Sequence, residues 1–324
     1  MSKVTIVTHF STPNWPVVNK LHAICKCHDV RMIHCSTVEK LVETLKQPLS
    51  SRNLFFTDEG LLDQAQSLNL YELNPNLEVA IFITSPISNV AAKVTNHKKV
   101  KYLIGARAAD EHGRDLSILI NKFTAGDILD LDKYLAFGTK IHRRKIANTQ
   151  GKREALNAID AYINALGDPG YNHPYGEYAR RSVELADELL LNAVFDANPR
   201  MAGVDRSKPF SLKAEEEVQV AWGYDGEIFG ISVCDPFGRM RSETILDYIS
   251  RTSTVDDILA SQSAGLGLKF ILERAHQVVT NVRQSQVTEV IALAKFVNRM
   301  LEFDTAKKSI YFFADAESEK VSKV

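Results

Sequence analysis

Within Asp187–Asp196, the residues Glu188, Asn192 and Asp196 stand at i, i+4 and i+8 and so line one stripe of a helix. Around them Leu185, Leu189, Leu190, Leu191, Val194 and Phe195 call for burial. A carboxylate and a carboxamide on the edge of such a helix need partners, since burying them unpaired costs roughly 2–7 kcal/mol. A divalent cation and a nucleotide would serve. Three further features could face the same ligand. Asp235 closes a strand, and Thr288 stands near the start of another, Val287–Leu293. Ser263-Ala264-Gly265-Leu266-Gly267-Leu268 opens a helix at about Lys269. Glycines there let the backbone approach a ligand, and the N–H groups of a helix start favour phosphate. A separate cluster, Cys25, Cys27, His28, His34 and Cys35, raises a metal question. Its spacing matches no common structural zinc pattern, and residues at i and i+2 of one helix face apart. No metal is expected there.

These residues sit in a chain of 324 residues, 45% hydrophobic and 24% charged, with formal net charge −1. That composition is ordinary for a globular protein of about two domains. A chain so near neutrality has no global field to draw it to nucleic acid or a membrane. No apolar run approaches the roughly 18–20 residues needed to span a bilayer. The N-terminus enters a strand without the pattern of a signal peptide. The four cysteines form no disulfide framework, which suits a reducing compartment. The expectation is a cytoplasmic protein.

Short apolar runs fall at 3–10, 30–36, 53–58, 77–86 and 100–106, and helical spacing at 16–28, 37–46, 60–68, 88–97 and 114–123. Strands with so little alternation suit burial on both faces, which predicts a doubly wound parallel α/β domain over 1–126. In pattern this resembles the receiver domain of bacterial response regulators. Asp58 closes the third strand, where that family carries its phosphoacceptor, and Thr84 and Ser85 close the fourth, where it carries Ser or Thr. His9 and Phe10 stand where an acidic pair is expected, which removes hard oxygen ligands for Mg²⁺. The fifth strand ends in Ile104-Gly105-Ala106, without the family's Lys. The resemblance implies a receiver-like, flavodoxin-like domain kept for protein contacts. Asp58 is its candidate phosphoacceptor, or merely opens a turn with Glu59 and Gly60.

Residues 127–150 read as a connector whose basic half, with Lys140, Arg143, Arg144 and Lys145, would be a solvated helix face. A helix over 152–166 is stopped by Gly167-Asp168-Pro169-Gly170. It carries no histidine, and His142 and His173 read as loop or helix-end residues, so histidine autophosphorylation is not expected. The helix of Glu188 follows, then a loop at 197–212 and a hairpin over 217–235 that turns at Asp225-Gly226. A helix near 242–250, a polar stretch, the glycine pair and the strand of Thr288 complete the order.

In order and spacing these pieces resemble the ATP-binding domain shared by histidine kinases, Hsp90-like chaperones and bacterial anti-sigma-factor serine kinases, the GHKL group. The resemblance covers 151–316, about half the chain, and implies a two-layer α/β sandwich with a mixed sheet. Residues 188–193 match the Asn box, Asp235 with Gly238 the first glycine box, 264–268 the second, and Thr288 the threonine of the last strand. Lacking a histidine-bearing helix, the chain is more similar to the anti-sigma serine-kinase branch. The resemblance implies that Glu188 is the general base or orients a water, and that Asn192 gives its oxygen to Mg²⁺. Asp235 would accept from the adenine amino group, Thr288 would reach adenine through water, and Gly265 and Gly267 would let N–H groups cradle the phosphates of ATP. Phe237 and Arg239 stand where glycines are expected, and Val287 replaces a Gly. The function implied is an ATP- and Mg²⁺-dependent protein serine/threonine kinase in a cytoplasmic bacterial partner switch. Its substrate would be a regulatory protein, such as an anti-sigma antagonist or a sigma-like factor, docked near 251–264; homodimerisation is open. The alternative is a catalytically inactive, nucleotide-sensing or protein-binding scaffold. The polar tail at 317–324 reads as disordered.

Overall fold

The computed structural model describes residues 3–12, 15–106, 112–167, 174–250 and 266–315. His173, Gly265, the expected docking stretch 251–264 and the tail 317–324 lie outside the described residues. In chain order the first elements are β1 (Val4–Thr8), α1 (Trp15–Cys27), β2 (Arg31–His34), α2 (Val38–Lys46), β3 (Arg52–Asp58), α3 (Leu62–Ser67), β4 (Leu77–Ile83), α4 (Ile87–Val94), β5 (Val100–Gly105) and α5 (His112–Ala125). Then come β6 (His142–Ile146), α6 (Thr149–Asn164), α7 (Tyr175–Leu191), β7 (Val218–Tyr224), β8 (Ile228–Asp235), α8 (Ser242–Ser250), α9 (Leu266–Arg274), β9 (Gln277–Arg283), β10 (Val287–Lys295), α10 (Met300–Thr305) and β11 (Ser309–Ala314). The result is a mixed α/β protein of two compact units. One takes residues 1–127, 242–252 and 309–311, the other 128–241, 253–308 and 312–324.

In the first unit five parallel strands run in the order β2-β1-β3-β4-β5. All five residues of β1 are buried, so it shows no alternation. Thr37 caps α2 by accepting from the Lys40 N–H at 3.3 Å. Two pieces from far along the chain complete this unit. The apolar face of α8, with Ile245, Leu246 and Ile249 buried, packs along α4, and the Lys101 ammonium donates to the Ser242 hydroxyl at 2.8 Å. Ser309–Tyr311 lies antiparallel to β5, pairing Ile310 with Leu103 and Tyr311 with Tyr102. The helix at 242–250, read by order as part of the C-terminal domain, thus belongs with the N-terminal strands.

The second unit is built on antiparallel strands in the order β9-β10-β8-β7-β6. Residues 142–146, expected as a helix face in a connector, form strand β6 on β7. Arg143, Arg144 and Lys145 are exposed on this edge, as charged residues on edge strands commonly are. His142 is therefore a strand residue; it stacks on Trp222, ring centroids 5.5 Å apart. On one face of the sheet Phe229 of β8 stacks on Phe296, which stacks in turn on Tyr178 of α7 at 4.1 Å. Phe229, Ile231, Val233 and Asp235 alternate along β8, so Asp235 looks toward the side of α7. The other face is covered by a 3-10 turn, Leu131–Tyr134, whose Leu131 packs over Gly230. The start of the expected connector is thus built into the second unit. Among the described residues no helix is long and apolar enough to cross a membrane.

Candidate functional site

α7 runs through Glu188 to Leu191 and then widens into a π turn, Asn192–Asp196, in which the Ala197 N–H donates to the Asn192 carbonyl at 2.9 Å. Such widened turns recur at functional sites because they re-aim the side chains they carry. Leu189, Leu190, Val194 and Phe195 are buried and anchor the helix, while Glu188 keeps 20% of its side chain accessible. The Asn192 amide hydrogen-bonds the Glu188 carboxylate, which leaves its oxygen end for another partner.

α9 packs directly on this stretch. Its described residues run from Leu266 to Arg274, so Gly267 is helical. A Cβ at Gly267 would overlap Glu188 Oε1 and lie 3.4 Å from Asn192 Nδ2. Glycine is required here for close approach. Arg274, at the far end of α9, donates to Glu184 of α7 at 2.9 and 2.7 Å and holds the two helices together. The first N–H groups of a helix have no partners inside it, and its dipole favours an anion nearby. Glu188 and Asn192 of α7 and its π turn thus meet Gly267 of α9. Burial raises the Glu188 pKa, and the charges of Asp196 and Asp187 add to this; Arg206 and the Asn192 bond oppose it.

Asp235 and Thr288 lie on adjacent strands. Thr288 of β10 pairs in register with Asp235 of β8 and hydrogen-bonds its carboxylate, and both are buried. The Asp235 carboxylate also accepts from the backbone N–H groups of Phe237, at 2.9 Å, and Gly238. Burial outweighs these bonds and pushes its carboxyl up to about 6. Gly238 has φ +59° and sits against the turn between β9 and β10: a Cβ there would lie 2.7 Å from the Ser285 and Gln286 nitrogens. Its carbonyl accepts from the Ser285 N–H at 3.1 Å. Its glycine identity is accounted for by this backbone packing. Phe237 is half-buried and Arg239 is exposed.

The first unit places Asp58 at the end of β3, as expected, where it accepts from the Ser11 N–H at 3.0 Å. Thr84 and Ser85 turn to Glu59 instead. The Glu59 carboxylate accepts from the Thr84 hydroxyl, from the Ser85 hydroxyl at 3.2 Å and from the Ser85 N–H at 3.1 Å. Asp58 does precede a 3-10 turn, Glu59–Leu61, but its side chain does not cap it. His9 bonds the Cys35 carbonyl at 2.9 Å. Cys25 and Cys35 are buried thiols with raised pKa values, Cys25 at about 12, and Cys27 is exposed. Among the described residues no group of three or more His, Cys, Asp or Glu could hold a metal.

Two polar residues escaped the sequence reading. Arg206 pairs with Asp196 and lies 3.7 Å from Glu188, but nothing in the loop at 197–212 marks it out. Glu289 is buried on β10 and accepts from Ser232 Oγ at 2.7 Å, Asn281 Nδ2 at 2.9 Å and the Asp130 N–H at 2.9 Å. Its signal was an acid inside the apolar run Val287–Leu293.

No family model and no curated protein matches the chain. Among solved structures, the regulatory domain of the master biofilm regulator CsgD is similar to 36% of this chain over 85% of its own length, at 15% identity and a TM-score of 0.26. A GCN5-related glucosamine N-acetyltransferase region in a fungal multi-domain GH3 β-N-acetylglucosaminidase is similar over 72% of this chain and 24% of that one, at 12% identity and a TM-score of 0.27. Likenesses at this level bear on neither fold nor function.

Proposed function

We propose that the second unit is a GHKL-type domain that binds ATP with Mg²⁺, and that the protein is a serine/threonine kinase of the anti-sigma-factor type in a bacterial partner switch. The observation that carries this reading is the meeting of Glu188, Asn192 and Gly267 on two helices pinned together by Arg274 and Glu184. The hydrogen-bonded pair Asp235 and Thr288, on strands of the same unit, adds to it. Phosphoryl transfer depends on positioning and charge neutralisation, and bound Mg²⁺ supplies the second. Asn192 offers the oxygen for that cation. Glu188 is the base for a substrate hydroxyl, and its raised pKa moves it toward the neutral range where a general base works well. With nucleotide bound, N–H groups of α9 would serve the phosphates, and Asp235 and Thr288 would supply acceptor and hydroxyl to the adenine. The first unit is then a receiver-like domain; its strand order β2-β1-β3-β4-β5 fits the flavodoxin-like arrangement.

Two observations favour the scaffold alternative. Gly238 is spent on a hairpin turn, and Glu59 takes the hydroxyls of Thr84 and Ser85. In that reading both units make protein contacts only. Calorimetry of the full chain with ATP and Mg²⁺ separates the two. Binding is expected, and no heat at millimolar nucleotide would sink the kinase reading. Given binding, E188A is expected to lower phosphorylation of a partner about 10²-fold or more while affinity persists. Nucleotide bound without any turnover by the wild type would leave the scaffold.

A further inference from the structure

β6 ends the strand order of the second unit: it pairs with β7 on one side, and among the described residues no strand pairs with it on the other. The outward N–H and C=O groups of such a strand are a template for one more strand. Three consecutive side chains along this edge, Arg143, Arg144 and Lys145, are exposed cations, and Lys140 just before it is exposed as well. We propose that the open edge of β6 is a docking site for an extended acidic segment of a partner protein, which adds to the sheet as a strand. The nucleotide reading of the second unit is not needed for this.

Successive side chains of a strand point to opposite faces. His142 stacks on Trp222 and lies 5.0 Å from the Tyr162 ring of α6, and Ile146 is buried, so Arg144 projects between them on the helical side. Arg143 and Lys145 project on the other side, where Arg143 lies 3.4 Å from Asp130 and Lys145 3.6 Å from Glu217. Exposed pairs of this kind are weak and exchange readily for a new acid. Arg144 has no acidic partner among the described residues. Cations on both faces of one edge suit an extended peptide, whose own side chains alternate in the same way and whose backbone bonds the strand. A nucleic-acid backbone on one face would meet Arg144 alone, or only the paired Arg143 and Lys145. A second copy of β6 laid along the edge would set like charges opposite one another, which is destabilising. An acidic strand reverses that sign at each position. Edge charges also guard against self-pairing, but that role alone gives no affinity for an acidic strand.

The test is fluorescence anisotropy of the full-length protein with a labelled peptide, Val-Thr-Glu-Asp-Glu-Thr-Val, without nucleotide. Binding is expected to be about tenfold or more tighter than for the same peptide carrying Gln-Asn-Gln, and to weaken as salt is raised. The acidic peptide with every backbone amide N-methylated keeps its charges and loses its donors; it is expected to bind about tenfold or more weakly. R144E is expected to weaken the acidic peptide by about tenfold or more, since an attraction becomes a repulsion. If R144E does not fold, R144Q takes its place, with an expected loss of about threefold. Hydrogen–deuterium exchange is expected to slow on binding within 142–146. No binding of the acidic peptide at millimolar concentration overturns the proposal, and so does equal affinity for the N-methylated peptide. A single-stranded DNA oligomer that binds more tightly than the peptide and loses affinity in R144E would make the edge a nucleic-acid surface instead. A dimer in sedimentation that R144E disperses would make the occupant a second copy, which also overturns it.

Discussion

Asp235 and Gly238 are three residues apart, yet each is constrained by something different. Asp235 is buried at a cost, since its carboxyl rises from an ordinary 3.8 to about 6 in the folded state. A group whose folded pKa is raised binds more protons when folded than when unfolded between those two values. Stability from Asp235 is therefore fully present below about pH 4, falls as pH rises toward 6, and is level above it. The fall is roughly 3 kcal/mol at 1.36 kcal/mol per pH unit. Asp235→Asn keeps an acceptor for the Phe237 N–H without the charge. Urea unfolding is expected to show the variant more stable than wild type at pH 8 and not at pH 4, and, if the proposed pocket binds adenine nucleotide, calorimetry is expected to show its loss. A variant no more stable at pH 8 would mean that the buried carboxylate is already compensated. Gly238→Ala meets a different obstacle. Alanine at φ +59° costs about 1 kcal/mol, and its Cβ would press on the Ser285 and Gln286 backbone. A loss of more than about 2 kcal/mol is expected, measurable by urea unfolding without any ligand. Asp235 was legible in the sequence because a strand ends there. The turn that Gly238 supports was not, because β9 and its register are set by distant pairing.

At the level of elements, Glu289 shows how one side chain can fix a segment. It binds β8 through Ser232, β9 through Asn281, and the chain entering the Leu131–Tyr134 turn through the Asp130 N–H. Glu289→Ala would strand three donors, each costing about 1–3 kcal/mol when buried and unpaired. A loss of roughly 3–5 kcal/mol in urea unfolding is expected, with faster hydrogen exchange at Asp130. Glu217→Ala, which removes an exposed pair with Lys145 at 3.6 Å, is expected to cost under about 1 kcal/mol. Equal losses in the two variants would deny Glu289 this role. The same elements mark what could be read in advance. β1, β3, β4 and β5 announced themselves because strands buried on both faces are continuous apolar runs. β6 did not, because an edge strand of His-Arg-Arg-Lys carries the charges of a solvated helix. Gly267 stood out in the sequence as one of a glycine pair opening a helix, but its contact with Glu188 required α9 to lie on α7, which no local pattern encodes.

At the scale of the whole molecule, the two units are not two stretches of sequence. The first unit's main segment is 1–127, and that unit is completed by 242–252 and 309–311. Order along the chain could not reveal this, because α8 carries the ordinary amphipathic pattern of any surface helix and only α4 says which surface. Ile245, Leu246 and Ile249 are all buried, and removing such side chains from water is worth about 1.5–3 kcal/mol each. β5 also loses its antiparallel neighbour when 309–311 is cut away, which leaves Leu103 and Tyr102 beside an open edge. A domain has in total only about 5–15 kcal/mol of stability, so losses of this size matter. The fragment 1–127 alone is therefore expected to unfold at markedly lower urea than the same strands in the full chain. Extending it to 1–252 should not by itself restore the edge pairing at β5. Fusing 1–127 through flexible linkers to 242–252 and 309–315 should recover most of the loss. Following Tyr102 exchange by hydrogen–deuterium mass spectrometry distinguishes the two contributions. If fragment 1–127 matches the full chain in both measurements, the first unit is closed without its distant pieces, and α8 is free to serve the second.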